Sequence, residues 1–166
     1  MAVSVHIPAA KAHATLTEVQ AFQQAVEDHR FLSEYVANVR QSAALFSEPH
    51  PQRRIAALKG FLAEHVVGHF AFEEQQVFPQ LLARERDPAT RQAVAELADE
   101  HQSMLATVRT LRRMMRTAEA SGSARSLARL EQSFRDFLHV LQVHAVKEDN
   151  ILLAVKQSRR HEAPLE

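Results

Sequence analysis

Histidines and glutamates recur in this sequence at a spacing that could bind metal ions. The motif His-x-x-x-Glu occurs twice, and each copy follows another histidine by some 40 positions. The six residues are His29, His69, Glu73, His101, His144 and Glu148. Residues four positions apart share one face of a helix, so an imidazole and a carboxylate can reach one metal together. Nitrogen and oxygen ligands without sulfur suit iron first, and manganese or zinc after it.

Turn-forming residues divide the chain into four helical segments that would position these side chains. Thr15 or Thr17 can cap the first segment, which is predicted to run to about Phe46. The second begins at Pro51 and continues to about Arg86, with a kink or an early end near Pro79. Asp87 and Pro88 read as N-cap and first turn of the third segment, which closes at Ser121-Gly122-Ser123; the fourth then runs to about Gln157.

Each segment carries an apolar stripe at helical spacing. In chain order the four stripes are Val19, Phe22, Val26, His29, Leu32, Val36, Val39; Leu58, Leu62, His65, His69, Glu73, Val77; Val94, Leu97, His101, Met104, Val108, Leu111, Met115; and Leu127, Leu130, Phe134, Phe137, Leu141, His144, Glu148, Ile151, Val155. With short connections, the pattern predicts an all-α, up-down-up-down antiparallel four-helix bundle over residues 15–157. Residues 1–14 are expected to be an N-terminal extension and 158–166 a polar, frayed tail.

The six residues lie on the inner stripes, where leucine would be expected. His29 and His101 lie roughly 20 Å above the base of the bundle at about 1.5 Å per residue, and His69 and His144 lie roughly 21–24 Å above it. A buried, unpaired carboxylate costs several kcal/mol, and no lysine or arginine lies on these stripes. We therefore expect two metal ions, bridged by both glutamates and by an oxo or hydroxo group, with one coordination position open.

The motifs are similar to those of a known family. The runs Asp28-His29, His69 to Glu74, Glu100-His101 and His144 to Glu148 resemble the hemerythrin-like, or HHE cation-binding, family, and the likeness extends from about Thr17 to Gln157. The resemblance implies a non-haem di-iron centre in which Glu73 and Glu148 bridge. It also implies that His29 and His69 bind one iron, and that His101 and His144 bind the other.

Two positions depart from the oxygen-carrying members of that family. Leu105 stands where those proteins have a further histidine, and Asp149 stands where they have their last carboxylate. Glu148 lies closer to the His144 face of the helix, so we take Glu148 as the ligand and keep Asp149 as the second choice. The four-histidine, two-glutamate set resembles the iron-cluster repair and the iron- or oxygen-sensing members more than the oxygen carriers.

Several neighbouring residues are weaker candidates for a role at the site. His65 could be an extra ligand or a residue at the mouth of the site, and Tyr35 could orient a ligand or simply pack. Glu74 and Glu100 could accept hydrogen bonds from ligand imidazoles or be solvated. The other histidines are expected to be solvated or at the surface: His6, His13, His50, His139 and His161.

Composition excludes several classes of function. Lysine plus arginine and aspartate plus glutamate number 20 each, which favours neither nucleic acid nor an anionic membrane as partner. Cysteine is absent, which excludes disulfides, thiolate zinc sites and iron–sulfur clusters. No run is apolar enough for a signal peptide or a bilayer span, so the chain is expected to be cytoplasmic, as a monomer or a weak homo-oligomer.

The function predicted from these features is binding or sensing of O₂, NO or a related small oxidant, peroxide included, at an open iron position. One alternative is a di-iron enzyme that turns over peroxide or NO. Another is an iron storage or delivery protein that serves iron–sulfur repair. No residue pattern marks a general base, a nucleophile or an organic substrate pocket, so an enzymatic reaction is not assigned.

Overall fold

The computed structural model describes residues 16–42, 45–46 and 50–162. It contains four helices and, within those ranges, no strand. They are α1 (Glu18–Gln41), α2 (residues 51–84), α3 (Pro88–Ser121) and α4 (Ala124–Glu162). The all-α, four-helix class predicted from the sequence is confirmed. None of the described helices combines the length and the apolar content that a bilayer-spanning helix needs.

Contacts between helix ends show that neighbouring helices run in opposite directions. Arg84, at the end of α2, pairs with Glu18 at the start of α1. Lys59, early in α2, pairs with Glu119 near the end of α3. Arg135, early in α4, reaches the last turn of α1. Because short turns join α2 to α3 and α3 to α4, the chain goes up and down the bundle four times.

The caps that begin and end the helices follow local sequence rules. Thr17 and Gln20 form the predicted capping box at the start of α1. The Asp87 side chain accepts hydrogen bonds from the backbone N–H groups of Ala89 and Thr90. Gly122 ends α3 with φ = 58°, a left-handed conformation that favours glycine.

Three helix ends differ from the sequence prediction. α1 ends at Gln41 rather than Phe46, because the backbone turns extended at Ser42 and Arg135 donates to the carbonyl oxygens of Val39 and Ser42. α2 ends at Arg84 rather than Arg86, with Glu85 extended. α4 continues to Glu162 rather than Gln157, since no glycine or proline interrupts it there. The predictions for residues 1–15 and 163–166, and for the His161 side chain, fall outside the described part.

Helix α2 is not a regular α-helix throughout. It consists of α-helical Pro51–Phe61, a π-helical stretch Leu62–Val67, α-helical Gly68–Phe72, a second π-helical stretch Glu73–Val77 and α-helical Phe78–Arg84. The N–H of Phe78 donates to the carbonyl of Glu73, five residues back. Pro79 has no N–H, and the wider π turn before it lets the helix continue through the proline. The alternative of an early end at Pro79 was therefore wrong.

Two apolar clusters fill the bundle. One lies towards the Ile55, Leu111 and Phe134 end, and the other surrounds Phe72 and Phe78. The stripes predicted for α3 and α4 lie in this core, but the first half of the α1 stripe was wrong. Val19 and Val26 are 66% and 50% exposed and Phe22 is half-buried, whereas Ala21 and Ala25 are fully buried. Ala21 and Ala25 belong to the same apolar cluster as Phe72 and Phe78.

Candidate metal centre

A layer of polar side chains separates the two apolar clusters. Within the described ranges only six polar or charged residues are fully buried, and none is more than 3% exposed. They are His29, His69, Glu73, His101, His144 and Glu148, the same six that the sequence singled out. Burial of so many ionisable groups in one place is costly unless each has a partner, so their mutual geometry decides what they can do.

Glu73 contacts histidines from three other positions in the layer. Its Oε1 lies 3.2 Å from His29 Nε2 and 2.9 Å from His69 Nε2. Its Oε2 lies 3.4 Å from His101 Nε2. The second π-helical stretch of α2 begins at this residue, and π turns inside helices are frequent at functional sites. One carboxylate thus faces both halves of the layer with different oxygens.

Glu148 occupies the matching place on α4. Its Oε2 lies 3.6 Å from His29 Nε2 and 3.5 Å from His144 Nε2. The Nε2 atoms of His101 and His144 lie 2.9 Å apart. Each glutamate therefore contacts histidines of both halves: Glu73 contacts two of the α1–α2 half and one of the α3–α4 half, and Glu148 contacts one of each.

The ligand-type atoms fall into two groups that share one member. Atoms of His29, His69 and Glu73 lie within 4.8 Å of one another, and so do atoms of the group formed by Glu73, His101, His144 and Glu148. This division puts the same two histidine pairs together that the family resemblance implied. Glu73 belongs to both groups, as a bridging carboxylate would.

The donor set fits a metal ion because many of its buried atoms lack a hydrogen-bond partner. These atoms are His29 Nε2, both ring nitrogens of His69, and all four carboxylate oxygens of Glu73 and Glu148. A buried polar atom without a partner costs about 1–3 kcal/mol, more if it is charged. Cations placed among these nitrogens and oxygens would satisfy them together, and the absence of sulfur suits iron, manganese or zinc.

The histidines of the α1–α2 half have raised pKa values in this metal-free arrangement. Burial lowers the pKa of His29, but its contacts with Asp149 and Glu73 outweigh burial and raise it to about 10. Burial also lowers the pKa of His69, and Glu73 and Asp28 raise it to about 9. Protons thus hold positive charge where metal ions would otherwise lie.

In the α3–α4 half of the layer, burial dominates the pKa shifts of His101 and Glu148. Burial, only partly offset by Glu73, lowers the pKa of His101 to about 3. Burial raises the pKa of Glu148 above its usual range, although His144 partly opposes the shift. Burial would raise the pKa of Glu73 too, but the facing imidazoles hold it well below its usual range. The metal-free centre is therefore electrostatically asymmetric, with its positive charge next to Glu73.

Aromatic rings close the layer on the His101 side. Phe70 stacks on the His101 ring with centroids 4.1 Å apart and planes 12° apart, and Phe78 lies 5.5 Å away at 20°. Phe70 also meets the His144 ring edge-on at 5.8 Å. These rings cover His101 and His144, which are at most 2% exposed to solvent.

The outer nitrogen of each histidine faces a carboxylate at the surface of the layer. Asp149 Oδ1 lies 2.7 Å from His29 Nδ1. Asp149 is 44% exposed, and it does not belong to the ligand group that contains Glu148. Glu74 and Glu100 face the Nδ1 atoms of His101 and His144 at 3.2 and 2.7 Å. The sequence reasoning had given no such role to Asp28, whose Oδ2 lies 3.5 Å from His69 Nδ1. Its position directly before a candidate ligand was the available signal.

His65 and Tyr35 lie among aromatic rings and not in either ligand group. The His65 ring lies 4.4 Å from the Phe31 ring, and burial lowers its pKa. Tyr35 stacks on Phe61 with centroids 3.8 Å apart, and burial raises its pKa to about 12. Leu105 packs, half-buried, against the larger apolar cluster. Tyr35 therefore takes part in the aromatic packing around Phe61.

Substitution of His65 is expected to leave the metal content unchanged. We expect His65→Phe to bind as many metal ions per chain as the unaltered protein, because phenylalanine fills the same aromatic slot beside Phe31. The matched change one turn further along α2, His69→Phe, is expected to lose at least one ion. Metal analysis of the two purified variants measures this. Loss of metal from His65→Phe would show that His65 is a ligand.

Comparison with known families agrees with the geometry of this layer. The family model described as hemerythrin HHE cation-binding domain matches residues 20–155. The chain belongs to this hemerythrin family. The match spans all four helices of the hemerythrin bundle, and the family's cation-binding character agrees with the buried histidine and glutamate groups. Searches of curated proteins and of solved structures gave no match.

Proposed function

We propose that this hemerythrin-domain protein holds two iron ions and binds or senses O₂, NO or a related small oxidant at them. His29 and His69 would hold one ion, and His101 and His144 the other. Glu73 and Glu148 would contribute to both. Bound iron would supply the redox and gas-binding chemistry that the helix side chains lack.

One observation supports the proposal above the others. The described ranges bury only six polar or charged residues, and all six meet in one layer with seven of their ring-nitrogen and carboxylate atoms lacking hydrogen bonds. A bundle that needed only stability would place leucines there, because burying unpaired ionisable groups is destabilising. The two groups sharing Glu73 fit a centre of two ions better than a single one.

The surroundings favour a small ligand. The six side chains are at most 3% exposed, and Phe70 and Phe78 cover His101. A layer buried to this extent suits a diatomic molecule or peroxide, which need little space, better than an organic substrate. The protein's own part would be to exclude bulk water, fix the imidazole directions and keep one coordination position free.

Metal analysis and rapid mixing would test the proposal. We expect two irons per chain in natively purified protein, together with the visible charge-transfer absorption of a two-iron centre. Stopped-flow mixing of the reduced, iron-loaded protein with O₂ or with NO should change that spectrum within a single turnover. An unchanged spectrum with both gases would overturn gas binding, and fewer than two tightly bound metals would overturn the two-iron centre.

The same preparation would separate binding from the two alternatives. Many turnovers of peroxide or NO per site, lost in His101→Ala, would indicate an enzyme. Transfer of iron to an apo acceptor protein would indicate delivery, and retention under chelator challenge would contradict delivery. A response that saturates at one small molecule per centre is the result expected for a binding or sensing protein.

A further inference from the structure

Four surface carboxylates form a closed ring of contacts around the histidine layer. Each histidine turns Nε2 towards the centre and Nδ1 towards a carboxylate on another helix. The four pairs are Asp149 with His29, Asp28 with His69, Glu74 with His101, and Glu100 with His144. In three pairs the carboxylate lies on the helix that precedes the histidine's helix in the chain. In the fourth pair, Asp149 on α4 faces His29 on α1. The contacts therefore link α1 to α2, α2 to α3, α3 to α4 and α4 back to α1.

Each carboxylate of the ring is adjacent in the sequence to one of the six buried residues. Asp28 and Glu100 directly precede His29 and His101. Glu74 and Asp149 directly follow the buried glutamates of α2 and α4. Neighbouring residues on a helix point about 100° apart, so a carboxylate beside an inward residue faces the adjacent helix instead. The arrangement in α1–α2 thus repeats in α3–α4, as the six buried residues do.

Further contacts hold two members of the ring in place. Gln24 Nε2 donates to Asp28 Oδ1 at 2.8 Å, one turn earlier on α1. Lys147 Nζ donates to Glu100 Oε1 at 2.7 Å, which leaves Oε2 of that carboxylate 2.7 Å from His144 Nδ1. Side chains that are 34–44% exposed would otherwise be free to turn towards water. Their orientation towards the imidazoles is therefore supported from outside.

We infer that Asp149, Glu74 and Glu100 are positioning residues that fix the imidazoles of His29, His101 and His144 with Nε2 free for metal. Asp28 faces the fourth imidazole, His69, at 3.5 Å without a hydrogen bond and completes the ring by its charge. A carboxylate that accepts a hydrogen bond from Nδ1–H selects the tautomer in which Nε2 carries the lone pair. It also sets the direction of the ring and raises its basicity as a ligand. This inference rests on the proposed metal centre. It attributes part of the centre's affinity for metal to residues other than the six buried ones.

Metal affinity of charge-neutral variants tests the inference. We expect Asp149→Asn and Glu100→Gln each to weaken binding of ferrous iron about 10- to 100-fold, as loss of such outer hydrogen bonds typically does. Competition with a chelator under anaerobic conditions measures the affinity, and zinc serves as a redox-silent second probe. Asp28→Asn, whose contact is longer at 3.5 Å, should have the smaller effect.

Neighbouring exposed carboxylates provide the matched controls. Glu27→Gln and Asp99→Asn remove the same charge from positions adjacent to Asp28 and Glu100, without a contact to an imidazole nitrogen among those described. We expect them to bind iron as the unaltered protein does. Equal weakening in the controls would show that overall negative charge acts at long range, and would overturn the positioning role.

A metal-free readout separates failure of this inference from failure of the proposed function. Nitrogen NMR of the metal-free protein should show a proton on Nδ1 of both His101 and His144, each facing its carboxylate; their Nε2 atoms lie 2.9 Å apart and can share one further proton. Glu100→Gln should reduce the Nδ1 protonation of His144 and leave that of His101 unchanged. An Nδ1 without a proton in the unaltered protein would overturn the inference even if two metals bind. Protons on both Nδ1 atoms without metal binding would overturn the proposed function alone.

Discussion

Replacing Glu73 with glutamine is expected to reduce the metal content from two ions per chain to fewer than one. Glu73 is the only residue that belongs to both ligand groups within the described ranges. Its two oxygens contact histidines in both halves of the layer. Glutamine keeps the shape but removes the negative charge, and its amide nitrogen cannot bind a cation. Each ion would lose a charged ligand at once, so both should dissociate.

The measurement is metal analysis after gel filtration, with Glu64→Gln as the control. Glu64 lies on the same helix and is exposed, so its substitution removes the same charge without touching the layer. His144→Ala provides a second comparison. Because His144 belongs to one ligand group only, this variant should lose one ion and keep the other. Retention of two ions by Glu73→Gln would contradict the bridging position of this carboxylate.

Loss of fold must be distinguished from loss of ligands in this experiment. The pKa of Glu73 is held low by facing imidazoles, so glutamine would leave those imidazoles without a counter-charge. Circular dichroism of the metal-free variant therefore accompanies the metal analysis. If Glu73→Gln does not fold, Glu73→Asp keeps the charge and shortens the reach. We expect Glu73→Asp to fold and to bind metal more weakly, and full metal content there would contradict the requirement for a long bridging side chain.

Removal of metal should lower the thermal midpoint of unfolding by about 15–30 °C. A ligand present at 1,000 times its Kd stabilises the folded state by about 4.1 kcal/mol, and two such ions by about twice that. For a domain of this size each kcal/mol shifts the midpoint by about 2–4 °C. Thermal unfolding of iron-loaded and chelator-treated protein, followed by circular dichroism, measures the difference. A midpoint that is insensitive to chelator would contradict a metal centre in the core.

The stability of the metal-free protein should also depend on pH in a definite direction. The pKa values of His29 and His69 are raised to about 10 and about 9, so their contribution to the free energy of unfolding is complete when the pH is below the ordinary histidine pKa. This contribution is lost as the pH rises through about 9–10. The pKa of Glu73 is lowered, so Glu73 stabilises the fold when the pH is above the ordinary glutamate pKa, and this stabilisation is lost as the pH falls further. We therefore expect the metal-free midpoint to decline from about pH 6.5 towards pH 10, whereas metal-loaded protein, whose imidazoles cannot protonate, should decline less.

The sequence by itself determined the helical class and the membership of the buried layer. Caps such as Thr17, Asp87 and Gly122 act through hydrogen bonds and dihedral angles within a few residues, so their effect can be read locally. The six polar residues stood out because they interrupt apolar stripes at helical spacing. Their burial followed from the same periodicity that buries the leucines beside them.

Only the tertiary structure decided the packing of individual faces and the ends of helices. The sequence ranked Val19 and Val26 above Ala21 and Ala25 as core residues because they are more hydrophobic. The structure reverses that order: Ala21 and Ala25 are fully buried in the cluster that also contains Phe72 and Phe78, whereas the two valines are exposed. The early end of α1 likewise depends on Arg135, which is far away in the chain.

Contacts around the histidine layer show the same division. A spacing of four placed His69 beside Glu73 and His144 beside Glu148, because that geometry belongs to one helix. It could not choose between the two roles open to Glu74 and Glu100, and it gave none to Asp28. Each of these carboxylates meets an imidazole on a neighbouring helix. Distances between helices depend on how the whole bundle packs, and the four histidines among the six residues singled out by the sequence acquire their outer partners only through that packing.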